Sequence, residues 1–455
     1  MFLKELYKIR FLILVEIALL ISIIFIGYYP ALIIVSGFFL IVFFIYSYCN
    51  IITLVQTLLF AILIDSLVVI GTTTSGPSVL VVEFFLFIVI VITIFRYLSK
   101  INHATRFYNL VLLWIPFLVW SLIIGLIIAV DKFRVISYWK NYFAGFFIFS
   151  LTYYSIKESK NVRTLILTII TWGFLLSILE FKVLFELGGF AKGIVGLFLK
   201  KNLLSVGWGK SNYIAAFFVV IIPISIGYLY YSNSRKLKYF IILSLISMSF
   251  AFILTLSRGG IIALVFALVI LFSRVLSTRT LIPFLSMIIL ITTLLLLNPL
   301  TYVLFDSIAT LDTSSSLYSR INYYEDVWHA FLKYPITGVG FGNLSYYATF
   351  ILPPDTSPAA HNIILGALGE VGIVGFIMYS AIIGFLMREL YSHYKIEQDN
   401  KLKIFKWCFL SAIIGALVHT LVEPTLDGLQ FSIMFWSISA IYLKLDVINK
   451  QSVEE

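Results

Sequence analysis

Long apolar runs follow one another along almost the whole chain, and no other feature limits the fold so strongly. They lie near 11–27, 31–48, 51–70, 78–98, 107–130, 142–156, 164–181, 212–231, 239–256, 260–277, 281–297, 362–387, 404–422 and 428–444. A helix needs ~20 apolar residues to cross a ~30 Å hydrocarbon core. In lipid every backbone N–H and C=O must be satisfied internally, so only helices and closed barrels span. A barrel strand alternates apolar and polar residues, whereas these runs are continuously apolar. An all-α polytopic bundle of about 12–14 transmembrane helices is therefore expected. The turns between 31–48 and 51–70 and between 239–256 and 260–277 are the least marked.

Composition removes the other classes. Apolar residues are 61% of the chain and charged residues 12%, about half the ~25% of soluble domains. There is too little polar surface to clothe a soluble fold. A soluble enzyme, a disordered chain, a collagen-like chain and a nucleic-acid binder are excluded. Cys49 and Cys408 both fall at apolar runs, so neither a disulfide framework nor a zinc site is expected. Lys4, Lys8 and Arg10 before the run 11–27 imitate a signal peptide. Without a small-residue cleavage site, the run reads as a retained first helix.

The net charge of +10 has an orientation as its main cause, because basic residues gather in short cytoplasmic loops. With the N-terminus inside, cytoplasmic segments hold 20 Lys and Arg and outer segments 11, with Arg96 inside a span. Two outer loops are long. Residues 182–211 carry Lys182, Lys192, Lys200, Lys201 and Lys210. They read as an interfacial amphipathic helix with snorkelling lysines, or as a rim that gathers an anionic substrate. Residues 298–361 form the longest polar stretch, and loops of that length are usually functional. Within it Leu317, Ile321, Tyr324, Trp328 and Phe331 recur at helical spacing, with Ser314–Ser316 as caps and Pro335 as a stop.

Ionisable groups inside spans are costly and are candidates for function. They are Glu16, Asp65, Glu83, Arg96, Glu180, Arg258, Glu370 and Glu423. Arg96, Glu180 and Glu423 lie near span ends, where snorkelling accounts for them. Glu16, Asp65 and Glu83 suit structural hydrogen bonds. Arg258 sits in Ser257-Arg258-Gly259-Gly260 between two helices. Its planar fork of donors suits phosphate oxygens, or it bonds free carbonyls at the helix end. Arg320 alone reads as a solvated partner of Glu325 or Asp326. Gly338-Val339-Gly340-Phe341-Gly342-Asn343 follows no strand and is not a dinucleotide fingerprint, so a flexible turn is expected. His361, directly before a span, can take a proton near neutral pH. His103 and His393 fall in cytoplasmic loops, His419 near a span end and His329 on the outer helix. No histidine pair has metal-ligand spacing.

Taken in order, these elements resemble the bacterial O-antigen ligase and O-antigen polymerase family. The residues that carry the resemblance are Ser257 to Gly260, Arg320 with Trp328, Pro335 to Gly340, and the string His361-Asn362 through Glu370 to Gly375. Gly209-Lys210-Ser211-Asn212-Tyr213 is a weaker match at a span start. The match covers roughly 200–375. The chain divides accordingly into N-terminal transmembrane helices (1–199), a core (200–375) that includes the outer loop 298–361, and C-terminal helices with a cytoplasmic tail (376–455).

The resemblance implies a glycosyltransferase in the cytoplasmic (inner) membrane with its active site on the periplasmic or extracellular side. It implies that an oligosaccharide moves from undecaprenyl diphosphate to an acceptor hydroxyl, with inversion and without a metal or cofactor. The acceptor is a second lipid-linked glycan in a polymerase, which is slightly preferred, and lipid A–core in a ligase; a third relative glycosylates protein serines. On this resemblance His361 is catalytic; Arg258, Arg320 and, more weakly, Lys210 bind the diphosphate; Asn212 and Asn362 belong to the substrate site. Glu370, about 13 Å along the helix from His361, is expected to anchor to a neighbouring helix. A lipid-linked glycan transporter or flippase is the reading from another class; it calls for inverted repeats and midplane charges, whereas no clear repeat is seen and the matched groups cluster at the outer surface.

The orientation has a direct check. Ser345→Cys should react with an impermeant thiol reagent in intact cells, and Gln398→Cys should not. The reverse pattern contradicts the placement.

Overall fold

The structure, a computed structural model, describes residues 51–68, 81–98, 109–186, 188, 211–275, 316–347 and 361–446. The runs 11–27, 31–48 and 281–297, Glu16 and Lys210 lie outside the described residues, as do the side chains of Asp65 and Arg96. Every long element is a helix. In chain order they are α1 (Ile51–Val68), α2 (Val81–Leu98), α3 (Asn109–Ile128), α4 (Lys132–Ser155), α5 (Ser159–Glu186), α6 (Ser211–Tyr231), α7 (Arg235–Leu254), α8 (Arg258–Val275), α9 (Ser316–Lys333), α10 (Ile363–Ile396), α11 (Asn400–Thr420) and α12 (Leu429–Leu443). Six of them, α3, α5, α6, α7, α10 and α11, are long and apolar enough to cross a membrane. The chain is a multi-pass membrane protein with a helical bundle.

Helix ends follow local chemistry. Asp131, Ser234, Asn362 and Asp399 cap α4, α7, α10 and α11 by accepting from first-turn N–H groups. The Asp131 cap moves the start of α4 well before the apolar run 142–156. Residues 132–141, expected as an outer segment, are helical and bury Val135. Likewise α5 runs on to Glu186, so Lys182 is helical and pairs with Glu186 at 3.5 Å. The weakly marked break at 255–257 is real, since α7 and α8 are separate helices.

One hydrophobic core joins helices from α1 to α12. α6 lies deepest, with Ile214 to Ile224 buried on all sides, and α12 is buried along its length. α6 packs on α11, α8 and α7, and α12 packs on α4. Small residues set the separations, as in other membrane bundles: an added Cβ at Gly415 would stand 2.8 Å from Ala267 Cβ. Peripheral helices keep apolar faces outward, with Ile115, Val119, Ile123 and Ile127 on α3 and Leu243, Ile246, Phe250 and Ile253 on α7. That is the surface a bilayer solvates.

Glu83 behaves as a structural partner and pairs with Lys140. The far end of the bundle, opposite the starts of α6, α8 and α10, is held by Lys406. Its buried ammonium pairs with Asp446, with Glu397 at 2.7 Å and with the His393 carbonyl at 3.1 Å. His393, at the end of α10, bonds Asp446 at 2.8 Å. A buried ammonium without such partners would be severely destabilising.

Helix α9 forms where the apolar spacing indicated, but it turns a different face inward. Asp326, Val327 and Ala330 are buried, and Val327 and Ala330 cluster with Val339 and Leu344. Ile321 and Trp328, from the expected stripe, are 41% and 48% exposed. The small Val327 and Ala330 let α9 lie close on α10, so the bulky residues are displaced outward.

The turn that follows α9 is locked in place and is not the flexible turn the glycines suggested. α10 is broken at Gly372, with φ 65° and ψ −173°. The break frees helix carbonyls, and the turn takes them up: Val339 N donates to Gly369 O at 2.9 Å and Gly340 N to Glu370 O at 2.8 Å. Ile373 N donates back to Pro335 O at 2.8 Å. Gly338 and Gly372 both adopt positive φ, and each occupies space where a Cβ would collide with the other strand's backbone. On the turn's other side, Asn343 exchanges two hydrogen bonds with the backbone of Asp131, at 2.8 and 3.0 Å. Glu370 accordingly bonds Gly342 N at 3.0 Å. Its side-chain anchor is this turn, and not the neighbouring helix that had been expected.

Two glycines of α10 should respond oppositely to alanine. Gly372→Ala should reduce folded yield and lower stability in detergent by more than about 1–3 kcal/mol, the cost of a side chain in this glycine-only backbone region before any collision. Gly384, which faces open space, should gain about 0.5–1 kcal/mol as alanine. Equal melting temperatures for the two variants would refute the interlock.

Candidate functional site

Three helix starts and one helix exit meet at one end of the bundle. The start of α6 brings Asn212, the start of α8 brings Arg258, the residue before α10's cap is His361, and Glu423 follows the end of α11. α9 lies beside them and brings Arg320 and Tyr323.

Glu423 is the centre of the site. Its side chain is 3% exposed. One oxygen, Oε2, accepts from Asn212 Nδ2 at 3.1 Å and from Arg320 Nη2 at 3.4 Å, and lies 3.2 Å from His361 Nδ1. Snorkelling at a span end does not describe this residue. The chain turns inward after α11, where Glu423 N bonds the His419 carbonyl at 3.0 Å, so the carboxylate points into the bundle. Glu180 does not snorkel either: it is fully buried, and among the described residues neither oxygen has a hydrogen-bond partner.

The sequence-selected residues distribute as follows. His361 and Arg320 meet, through Glu423. Arg320 is thus not a solvated partner of Glu325 or Asp326. Arg258 lies at the rim, more than a third exposed, and close enough to Arg320 for the two cations to repel. Ser257 Oγ accepts from Gly260 N at 3.1 Å and caps α8. The two glycines permit close packing as read: a Cβ on Gly260 would stand 2.7 Å from Ala215 Cβ. Asn362 spends its side-chain oxygen on α10, accepting from Ile364 N at 2.9 Å and Leu365 N at 3.2 Å. Asn212 joins the site. Lys210 lies outside the described residues.

Backbone strain flanks the site on both sides. Leu256 and His361 have φ of 48° and 46°, in the left-handed region that costs a side chain about 1–2 kcal/mol. At His361 the asparagine cap and the Glu423 bond hold the residue there. The Tyr323 ring lies 5.8 Å from the imidazole, tilted by 39°.

A second acidic cluster sits just beyond Glu423, in the 3₁₀ turn Thr425–Asp427. Tyr142 Oη donates to Asp427 Oδ1 at 2.6 Å, and Asn141 Nδ2 donates to its carbonyl at 2.7 Å. Tyr142 stacks on Phe341 at 4.7 Å, which ties this turn to the glycine turn. Burial pushes the Asp427 carboxyl from 3.8 up to about 7, while the Tyr142 hydrogen bond pulls it down.

Chemically, the site offers two guanidinium groups for an anion, an imidazole beside them, and a buried carboxylate that holds the set together. Among the described residues no group of three or more His, Cys, Asp or Glu is placed to hold a metal ion.

Comparison with known proteins agrees with the motif reading. Residues 242–380 match the family model described as O-Antigen ligase. A relative from Bacillus subtilis (strain 168), the teichuronic acid biosynthesis protein TuaE, is 28% identical over 129 residues. That alignment covers 28% of this chain and 26% of the relative, so the chain spans about a quarter of the relative's length. The likeness to the O-antigen ligase family therefore holds over the segment with Arg258, Arg320 and His361. Asn212 and Glu423 lie outside it.

The Asp427 cluster makes stability depend on pH. Between pH 3.8 and about 7 the folded chain holds a proton that the unfolded chain has released, so this contribution is full at low pH and is lost as pH rises through that window. Asp427→Asn should flatten the fall in detergent melting temperature between pH 5 and pH 7.5. An unchanged slope would show that Asp427 is not the titrating group.

Proposed function

We propose that this chain is a membrane glycosyltransferase that moves an oligosaccharide from undecaprenyl diphosphate to an acceptor hydroxyl. The convergence of Arg320, His361 and Asn212 on one buried carboxylate, with Arg258 alongside, carries this reading. The O-Antigen ligase match over 242–380, which holds Arg258, Arg320 and His361, supports it. The site then faces the periplasm or exterior of the cytoplasmic membrane, a reading that the basic-residue asymmetry supports.

The acceptor oxygen attacks the anomeric carbon as the bond from that carbon to the diphosphate oxygen breaks. The hydroxyl proton passes to His361, and undecaprenyl diphosphate leaves with the electron pair. Direct displacement inverts the anomeric centre. Negative charge grows on the leaving diphosphate, and Arg258 and Arg320, with Lys210 as a weaker third, stabilise it electrostatically. Fixed cations doing this work require no metal, so transfer should continue in excess chelator. In this reading the three segments 1–199, 200–375 and 376–455 supply surrounding helices, the site core and the closing helices. Asn362 serves the site by fixing His361 at the head of α10.

Joining one lipid-linked repeat to another is the preferred form. The relative named for teichuronic acid biosynthesis favours surface-polymer assembly over transfer to lipid A–core. The O-Antigen ligase description of the matching family favours the second reading, a ligase. A flippase is disfavoured because the site's charges gather at one end of the bundle and not at mid-depth.

Purified protein in detergent, given a defined lipid-linked repeat with and without a lipid A–core acceptor, tests both forms. His361→Ala should reduce transfer by ~10²–10⁴ and leave donor binding near wild type. Arg258→Ala and Arg320→Ala should each lower turnover by ~10²–10³ and weaken donor binding. Arg258→Lys keeps the charge without the fork and should stay well below wild type. Near-normal transfer by His361→Ala, or wild-type donor affinity in both alanine variants at the arginines, would refute these roles.

A further inference from the structure

Glu423 presents a single oxygen to two groups with different tasks. Oε2 is 3.4 Å from Arg320 Nη2 and 3.2 Å from His361 Nδ1, in a pocket that leaves the carboxylate 3% exposed. One buried negative charge therefore serves a cation assigned to the donor and an imidazole assigned to the acceptor. These assignments rest on the function proposed above.

We propose that Glu423 is a positioning residue that couples the two substrates: diphosphate binding draws Arg320 off Oε2 and leaves the carboxylate to hold and charge-balance His361. With the donor absent, Arg320 occupies the carboxylate and neutralises it. When a diphosphate enters, its oxygens offer the guanidinium a bidentate partner, and the 3.4 Å contact to Glu423 is the weaker of the two. Oε2 then accepts from Nδ1–H of His361. That bond fixes the tautomer and leaves Nε2 as the base for the acceptor hydroxyl. When Nε2 takes the proton, the carboxylate stabilises the resulting imidazolium. The donor thus prepares the base, and the acceptor is activated only in its presence.

Other groups face this cluster and enter the balance. Arg258 at the start of α8 repels Arg320. His419 of α11 senses both Glu423 and Arg320. Tyr213 of α6 lies near Glu423 and Asp427, and Tyr323 of α9 flanks the imidazole. None of them contacts both Arg320 and His361 through a single atom among the hydrogen bonds described above, as Glu423 does.

The sharing has a signature that damage to the fold would not produce. Glu423→Gln removes the competitor for Arg320, so inorganic pyrophosphate should bind several-fold tighter than to wild type while glycan transfer falls. Both are measured on the full chain in detergent, by titration calorimetry and with the lipid-linked donor. A second measurement uses carbethoxylation of His361 at pH 7, read by peptide mass spectrometry, since only the neutral imidazole reacts. Arg320→Gln should slow this reaction about threefold, because the Glu423 carboxylate then faces the imidazole without the guanidinium beside it. The same substitution in a Glu423→Gln background should leave the rate unchanged. Glu423→Asp serves if the glutamine variant fails to fold; its shorter reach should also release Arg320 and tighten pyrophosphate binding.

Weaker or equal pyrophosphate binding in a folded Glu423 variant overturns the proposal. So does an Arg320→Gln effect that persists without Glu423. Failure of the wild-type protein to bind pyrophosphate would instead count against the diphosphate assignment, while the carbethoxylation pair still decides whether the carboxylate is shared.

Discussion

A broken helix holds this site together. If α10 ran on through Gly372, the carbonyls of Gly369 and Glu370 would close its next turn. The break offers them to Val339 and Gly340, and Ile373 N returns a bond to Pro335 O. The interlock fixes the chain after α9 against the middle of α10, so the Arg320 helix and the His361 helix are held against each other. Asn343 extends the same clamp to the start of α4 through Asp131. The chain that follows α9, which would otherwise lose a large ordering entropy, is thereby tied to α10 and α4.

Arg320 and His361 then reach Glu423 from different directions. The carboxylate is inside the bundle only because the chain turns inward after α11, with Glu423 N on the His419 carbonyl. The adjoining 3₁₀ turn carries Asp427 to Tyr142, and Tyr142 to Phe341 of the glycine turn. The acidic residues at this end thus join the loop clamp to the cations that it positions. In a low-dielectric setting each of these pairings matters, because a buried charge left without its partner costs several kcal/mol.

Much of this was legible in the sequence, and the failures have physical causes. The spans could be read because lipid forces each helix to be apolar for its whole length. Arg258, Arg320 and His361 could be read because each sits in a local motif with glycine, asparagine or proline around it. Glu423 could not. It lies at a span end, where a glutamate ordinarily snorkels, and its three partners come from α6, α9 and the head of α10. The clue was a carboxylate directly before Pro424, where a helix cannot continue and the chain must turn. The glycine turn was misjudged for a similar reason. Positive φ reads as freedom along a sequence, but here it lets two backbones touch. The face of α9 was misjudged because small residues, not bulky ones, set how closely two helices approach.

The proposed transfer is a direct displacement at the anomeric carbon, with cations on the leaving diphosphate and His361 on the incoming hydroxyl. The stereochemistry of one transfer tests it most directly. A lipid-linked oligosaccharide of known anomeric configuration, incubated with the purified chain and an acceptor, gives a product whose new linkage can be read by NMR from its anomeric coupling constant. Inversion relative to the donor is the expected result. Retained configuration would require a covalent glycosyl intermediate or a different site, and would contradict it.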